Sequence, residues 1–168
     1  MEETLRIINE LAGRKLIESY AIGGAMAAFF YSEAVVTEDL DAFVLIAPPP
    51  GALLTLTPVY EYLKSRGAIE QREHLILAGT LVQIIPAYDA LTEEAVRQSV
   101  EREIGRTPTQ VMRAEHLIAI ALKTGRAKDH ARIAILLEEA EIDTALLTDI
   151  LGRHALLDRW NRFKNAQP

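Results

Sequence analysis

The spacing of apolar residues predicts helices and short strands in the first part of the chain. Residues 4–19 carry apolar side chains at helical intervals and are predicted to form one helix. Residues 20–23 are predicted as a short strand and residues 25–32 as a short helix. Residues 36–47 include a run that is apolar on both faces, as in a central strand, which the prolines at 48–50 end.

The middle of the chain predicts a helix, a hairpin and a second helix. Residues 58–66 form a helical pattern, and Gly67 follows it in the position of a C-terminal cap. Two apolar runs meet at Ala78-Gly79, a dipeptide that favours a tight turn between antiparallel strands. Residues 92–102 are predicted as the next helix, beginning at Thr92.

The remainder of the chain predicts one short strand and then helices only. These segments are a strand at 109–113 and helices at 114–125 and 128–142. A third helix begins after a cap at Asp143 or Thr144, and a fourth spans residues 154–164. The sequence therefore predicts an α+β fold in which a small mixed sheet precedes a helical part. The predicted boundary lies near residue 103, which divides the chain into 1–103 and 104–168.

Composition narrows the class of protein. The chain has 168 residues, of which 49% are hydrophobic, and its 18 basic and 24 acidic residues give a net charge of −6. That charge disfavours a protein that holds duplex nucleic acid mainly through its phosphates. The absence of cysteine excludes disulfides and thiolate metal sites. The acidic start Met1-Glu2-Glu3 does not resemble a signal peptide, and no apolar run approaches the ~18 residues of a membrane span, so a soluble cytoplasmic protein is expected.

Two aspartates stand at the start of the predicted central strand. Thr37, Asp39 and Asp41 alternate along that strand and are expected to share one face. Two carboxylates held this close repel each other unless a cation lies between them, and Mg²⁺ prefers such oxygen ligands. The alternative is an ordinary solvated turn, in which Asp-X-Asp is common.

A pair of glycines, Gly23-Gly24, precedes the aspartates by one short predicted helix. Glycines let backbone N–H groups approach an anion closely, and a helix that follows adds a favourable dipole. A turn of this kind together with a carboxylate pair suits metal-assisted chemistry on a phosphate.

The segment GGAMAAFFYSEAVVTEDLDAFV resembles the nucleotidyltransferase superfamily with the polymerase-beta-like fold. The resemblance covers residues 1–100, and its nearest kin are small bacterial enzymes related to antibiotic nucleotidyltransferases and to toxins of abortive-infection systems. It implies that Gly23 and Gly24 meet the triphosphate, that Thr37 belongs to the same site, and that Asp39 and Asp41 bind Mg²⁺ or Mn²⁺.

The family pattern adds a third carboxylate on a later strand, and here the matching position is Gln83. An amide oxygen can bind a metal, but it carries no charge and is no base. Glu73 and His74, on the adjacent predicted strand, are alternative substitutes. Gln83 could equally be an ordinary buried amide.

A basic cluster brackets the corner between two predicted C-terminal helices. Lys123, Arg126 and Lys128 could bind the phosphates of a nucleotide. The alternative is an exposed charged turn in which Arg126 pairs with Asp129 or Glu115. The surrounding segment also resembles the helical part of the toxin-like branch of the same family, which implies that this basic cluster faces the active cleft.

The leading functional expectation is Mg²⁺-dependent transfer of a nucleoside monophosphate from a nucleoside triphosphate to an acceptor. The acceptor is undetermined and could be a small molecule, a protein or a transfer RNA. The alternative is a nucleotide- or partner-binding protein that kept the fold but lost catalysis through Gln83, with a protein partner as in a toxin–antitoxin pair.

Overall fold

A seven-stranded mixed sheet forms the centre of the molecule in the computed structural model, which describes residues 1–33, 37, 39–46 and 54–166. The spatial order of the strands is β3-β4-β5-β2-β1-β7-β6. Their bounds are β1 Ser19–Ile22, β2 Asp39–Leu45, β3 Ile69–Gln71, β4 His74–Leu77, β5 Thr80–Pro86, β6 Val100–Ile104 and β7 Thr107–Val111.

The central strand β2 lies antiparallel to β1 and parallel to β5. Its alternate residues Leu40, Ala42 and Val44 are fully buried on one face of the sheet. Asp39 and Asp41 belong to the opposite face, where Asp39 is exposed and Asp41 is half-buried. One face of β2 therefore anchors the core and the other is left for a site.

Eight helices pack around this sheet in the described part of the chain. They are α1 Glu2–Gly13, α2 Gly24–Ala28, α3 Thr57–Ser65, α4 Ala90–Arg97, α5 Ala114–Thr124, α6 Ala127–Glu139, α7 Thr144–Arg153 and α8 Leu157–Asn165. The helix α4 packs against β1, β2 and α5, while α2 packs against β2 and α5. These elements confirm the α+β prediction. None of the described helices combines the length and apolar character needed to cross a bilayer.

The prediction of one helix over residues 4–19 is wrong at its C-terminal end. The helix α1 ends at Gly13, and Lys15 has a positive φ of 59° that no helix continues through. Leu16 still packs against the core from the following turn. Its apolar side chain continued the helical spacing in the sequence past the end of the helix.

The helix predicted over residues 92–102 is also placed incorrectly. The helix α4 begins earlier because Asp89 caps it, accepting hydrogen bonds from the backbone N–H groups of Leu91 and Thr92. The strand β6 follows from Val100, and β7 then pairs with both β6 and β1. The sheet therefore extends to Val111, beyond the boundary that the sequence placed near residue 103.

Other predicted elements are confirmed or corrected in smaller ways. The hairpin turn at Ala78-Gly79 is confirmed, with positive φ at both residues. The helix α2 is shorter than the predicted 25–32, α8 starts three residues later than predicted, and the edge strand β3 was not anticipated. The prolines at 48–50 and the ends of the predicted strand 36–47 lie outside the described residues.

Candidate active site

A cavity of about 680 Å³ lies between the open face of the central strands and the helices α5 and α6. Its volume is within the range of about 300–1,000 Å³ that is usual for small-molecule sites. Most of the predicted site residues line it: Gly24, Thr37, Asp39, Asp41, Gln83, Arg126 and Lys128. Glu73 and His74, the two alternative substitutes, line it as well.

The two aspartates project into the cavity from the same face of β2. Burial raises the pKa of Asp41, while the positive charge of Arg132 opposes that shift and the negative charge of Asp39 adds to it. The side chain of Thr37 accepts a hydrogen bond from the backbone N–H of Asp39 at 3.3 Å, which fixes the entry to the strand. A cation beside Asp41 would relieve the cost of its buried negative charge.

The glycine pair makes room for the aspartate and the strand that carries it. Gly24 has φ +60°, and a Cβ built on it would lie 1.9 Å from Oδ2 of Asp41. A Cβ on Gly23 would lie 2.5 Å from the ring of Phe43. Gly24 lines the cavity, whereas Gly23 does not line it and donates its backbone N–H to the carbonyl of Asp41 at 2.9 Å. Both positions therefore exclude a side chain.

Gln83 lies directly beside Asp41, where alignment with the family pattern predicted it. In the parallel pair of β2 and β5, Asp41 is the Cα partner of Gln83, and Asp39 is the partner of Leu81. Neighbouring strands are about 4.8 Å apart, so both side chains enter the same part of the cavity. The sequence resemblance predicts the family's third carboxylate at this position, and the structure places the amide of Gln83 beside Asp41.

The start of α6 supplies the positive side of the cavity. Arg126 donates from Nε to Oδ2 of Asp129 at 2.7 Å and from Nη2 to Oδ1 at 3.2 Å. Asp129 is only 1% exposed, so its carboxylate is fixed beneath the helix start. The predicted alternative, an Arg126–Asp129 pair, is therefore present even though Arg126 lines the cavity.

Lys128 and Arg132 follow Arg126 on the same side of α6. The Arg132 side chain is 17% exposed, against 58% for Arg126, and its Nη1 lies 3.5 Å from Asp129 Oδ1. Both Lys128 and Arg132 lower the pKa of Asp41 through their charges. Arg132 was not predicted, although its position four residues after Lys128 puts it on the same helical face.

Lys123 does not line this cavity. Its Nζ lies 3.1 Å from Oδ1 of Asp89, the residue that caps α4. This contact helps to lower the pKa of Asp89, against the opposing effect of burial. Arg126 and Lys128 therefore line the cavity, whereas Lys123 forms an ion pair that connects α5 to the start of α4.

An apolar wall of the cavity was also missed by sequence reasoning. It is formed by Phe43, Ile85, Met112, Leu117 and Ile120, which come from β2, β5, the segment between β7 and α5, and α5 itself. These residues are indistinguishable from core residues in the sequence because they follow ordinary strand and helix periodicities. An apolar surface next to charged groups suits a ligand with a flat ring and a charged end.

The oxygen donors of the cavity fit a divalent cation that is shared with a substrate. Asp39, Asp41 and the amide of Gln83 provide hard oxygen atoms on one face. Within the described residues, no group of three or more His, Cys, Asp or Glu side chains could hold an ion by itself. Mg²⁺ is commonly bound by one or two carboxylates and completed by substrate phosphates, so this donor set suits it.

Several solved structures are similar to this chain, and two of them match it over nearly its whole length. The antibiotic-resistance factor ANT(2'')-Ia matches over 98% of this chain and 97% of its own, with 15% identity and a TM-score of 0.51. An antigenic nucleotidyltransferase-like protein from Paracoccidioides brasiliensis matches over 96% of this chain and 90% of its own, with 14% identity and a TM-score of 0.55. No protein-family model matches the sequence, and no curated protein is significantly similar to it.

Both similarities extend over nearly the whole chain, so they include the helical C-terminal part as well as the sheet. At this level of identity they establish the fold and leave the reaction to be argued from the site. The chain therefore has a nucleotidyltransferase-like fold, as the sequence resemblance predicted.

Proposed function

We propose that the protein is a nucleotidyltransferase that moves a nucleoside monophosphate from a nucleoside triphosphate to an acceptor. The observation that carries this proposal is that Asp39 and Asp41 line the same cavity as Lys128 and Arg132. Carboxylates on one side and cations on the other are what a metal-bound triphosphate needs. The fold agrees with this assignment.

Asp39 and Asp41 would hold Mg²⁺ or Mn²⁺ together with the triphosphate. When bound, the ion neutralises phosphate oxygens and polarises the phosphorus that is attacked. Gln83 would add a neutral oxygen donor beside Asp41. Gly24 and Thr37 would border the phosphates, since both line the cavity next to the aspartates.

The cations at the start of α6 would bind the negative end of the triphosphate. Arg126 already donates two side-chain N–H groups to Asp129, so Lys128 and Arg132 are better placed to contribute new bonds. Their charges would stabilise the pyrophosphate that leaves. The apolar wall around Phe43 and Ile120 would contact the base or the acceptor.

The reaction forms a bond between an acceptor oxygen and the α-phosphorus. The bond from that phosphorus to the bridging oxygen of the β-phosphate breaks, and pyrophosphate departs with the electron pair. If the acceptor is a hydroxyl, its proton must be taken up by a base. The acceptor can be a small molecule, a protein or a transfer RNA, and a protein partner of toxin–antitoxin type also remains a prediction.

A second candidate function is nucleotide binding without catalysis. Gln83 favours it, because the amide beside Asp41 brings neither charge nor a basic group to the position of the third carboxylate. A protein of this kind would bind a triphosphate with Mg²⁺ and release no pyrophosphate with any acceptor.

The test uses the four nucleoside triphosphates, labelled at the α-phosphate, with Mg²⁺ or Mn²⁺. Each is incubated with water alone, glucosamine, dephosphorylated casein or mixed transfer RNA, and both label transfer and pyrophosphate release are measured. We expect one combination to react. Asp39→Asn and Asp41→Asn should each lower the rate of that reaction by more than about 100-fold.

Asp158→Asn is the matched control, because Asp158 is exposed in the first turn of α8. It should retain the wild-type rate. Binding of a triphosphate with Mg²⁺ by thermal shift, without pyrophosphate release, would support the second candidate. Absence of both binding and release would exclude both candidates.

A further inference from the structure

We infer that His74 accepts the proton of the acceptor hydroxyl, in place of the carboxylate that Gln83 replaces. This inference rests on the proposed nucleotidyl transfer. It concerns the one component of that reaction that Asp39, Asp41 and the cations of α6 do not supply, which is a base.

Sheet geometry places His74 beside Gln83. The antiparallel pair of β4 and β5 joins Leu75 to Val82 and Ile76 to Leu81, so the next position along each strand brings His74 opposite Gln83. Leu75 and Val82 are buried on the core face, and alternation turns His74 and Gln83 to the other face. A row across the sheet therefore runs His74, Gln83, Asp41, and His74 and Asp41 flank the amide.

The imidazole of His74 is free to act. Within the described residues it makes no hydrogen bond or ion pair, and it is half-buried at the edge of the cavity. It is not expected to be a third metal ligand, since no three such side chains in the described chain are grouped around one point. A neutral imidazole nitrogen can therefore accept a proton.

Glu73 is less suited to this role. It lies in the two-residue turn that joins β3 to β4, between the paired residues Gln71 and His74, and it is exposed. His74 is the first residue of β4, so the strand fixes its direction. A base must be held in position to be effective.

A second, shallower cavity of about 430 Å³ adjoins the first at this point. It is lined by Gln71, Arg72, Glu73, His74 and Leu81, and it shares Glu73 and His74 with the main cavity. His74 thus stands where the space next to the aspartates meets a groove along the β3–β4 hairpin. An acceptor lying in that groove would present its hydroxyl beside the imidazole.

Charged side chains from the sheet and from α6 face the cavity that His74 lines. Asp39 and Asp41 lie along the same face, and Glu73 precedes it in the chain. Lys128 and Arg132 approach from α6 and would be paired with the phosphates of the nucleotide. In the proposed complex the aspartates would be paired with Mg²⁺ and the two cations with phosphate, which leaves the imidazole of His74 available to the acceptor.

The step is balanced within the groups named. The acceptor O–H bond breaks as its oxygen attacks the α-phosphorus, and the proton passes to a ring nitrogen of His74. Pyrophosphate leaves with the electrons of the broken phosphorus–oxygen bond. The imidazolium then returns its proton to solvent.

The test compares pyrophosphate release by four proteins: the wild type, His74→Gln, Gln83→Glu and the double variant. Each uses the reacting triphosphate and acceptor probe from the screen described above. His74→Gln is expected to lose about 10²–10⁴-fold of the rate, the contribution of general base catalysis. In the Gln83→Glu background the same change should cost less than about tenfold, because the new carboxylate supplies another base.

Glu61→Gln, an exposed change on α3 outside both cavities, is the matched control and should stay within threefold of the wild type. The inference would be overturned if His74→Gln lowered the rate equally in both backgrounds, or in neither. In that case an inactive Asp41→Asn protein would still support nucleotidyl transfer. A wild type that transfers nothing to any probe would instead overturn the proposed function on which the inference rests. Thermal midpoints within about 2 °C of the wild type would show that each variant is folded.

Discussion

A carboxylate that is half-buried beside a second carboxylate is costly unless positive charge compensates it. Asp41 is in this position: burial raises its pKa, and Arg132 and Lys128 act in the opposite direction. Gly24 leaves the space into which the Asp41 side chain fits. At the scale of single residues, the cavity therefore combines two carboxylates that repel each other with the cations that compensate their charge.

Gly24→Ala is expected to displace the Asp41 side chain, because the added Cβ would lie 1.9 Å from its Oδ2. Alanine at φ +60° also costs about 1–2 kcal/mol. Displacing a reacting group by about 1 Å can lower a rate by about 100-fold, and we expect a loss of that order in pyrophosphate release.

Gly13→Ala is the matched control for this change, since nothing lies within 4 Å of a Cβ built there. It should leave the rate unchanged. A Gly24→Ala protein as active as the wild type would contradict the prediction that the rate depends on the position of the Asp41 carboxylate.

Arg132→Gln is expected to weaken binding of a triphosphate with Mg²⁺. The loss of one charge-assisted hydrogen bond is about 1.5–3 kcal/mol, which corresponds to a dissociation constant raised by about 10–150-fold. Isothermal titration measures it, and Arg97→Gln, which removes an exposed arginine of α4, should bind like the wild type. Unchanged affinity of Arg132→Gln would remove this residue from the site.

Part of the cavity lining was predicted from the sequence. Asp39, Asp41 and Gly24 carry a motif whose spacing is visible in the chain, and Gln83 was identified through the resemblance to the family pattern. Arg132 was missed because a single arginine on a helix is usually a solvated surface residue. Lys123 was predicted in the same cluster, but which face of α5 carries it depends on packing against α4, which the sequence does not reveal.

At the scale of elements, Glu94 of α4 connects that helix to α5 and α7. Oε1 of Glu94 lies 3.1 Å from Nε2 of the fully buried His116 of α5, and Oε2 lies 2.9 Å from Nε2 of His154. Arg153 donates to both oxygens of the same carboxylate. Since a carboxylate only accepts, His116 donates from Nε2, and its Nδ1 remains without a partner in the described structure.

Glu94→Gln is expected to destabilise the protein by about 1–2 kcal/mol at pH 7, because charge-assisted hydrogen bonds to Arg153 and the histidines are lost. Glu138→Gln, an exposed change on α6, should stay within about 0.5 kcal/mol of the wild type. Urea denaturation measures both. A Glu94→Gln protein as stable as the wild type would mean that the network contributes nothing.

The same network predicts how stability depends on pH. The bonds from Arg153 hold the pKa of Glu94 well below its usual range, and burial lowers the pKa of His116. A depressed carboxyl pKa stabilises the fold above the unfolded value of about 4.3 and loses that contribution as pH falls. The buried neutral His116 also favours unfolding below about pH 6.5, so the wild type should lose stability steadily from pH 7 to pH 3.

Glu94→Gln should show a shallower loss over the lower part of that range, because one of the two titrating groups is absent. Denaturant midpoints measured at intervals of pH test this. Parallel curves for the two proteins would contradict the assignment of the acid sensitivity to Glu94.

The elements themselves were predictable where local signals agreed with packing. The turn at Ala78-Gly79 and the helix α5 appeared as expected because turn chemistry and periodicity indicated the same structure. The strand β6 was missed because Val100–Ile104 carries charged residues at 101–103, and an edge strand does not need an apolar face. Its existence depends on pairing with β7, which is a tertiary contact.

At the scale of the whole molecule, distant parts of the chain meet around one cavity. The aspartates come from β2 near residue 40, and the cations come from α6 near residue 130. The central prediction is that a metal-bound triphosphate lies between these two groups. The net charge of −6 makes the positive start of α6 a local exception, which is the place where a polyanion would bind.

The most direct measurement is a crystal structure with a non-hydrolysable nucleoside triphosphate and Mn²⁺, with the metal located by its anomalous scattering. We expect a manganese peak in contact with the carboxylates of Asp39 and Asp41, and phosphate oxygens within hydrogen-bonding distance of Arg132 or Lys128. Density for the nucleotide or the metal elsewhere, with this cavity containing only water, would contradict it.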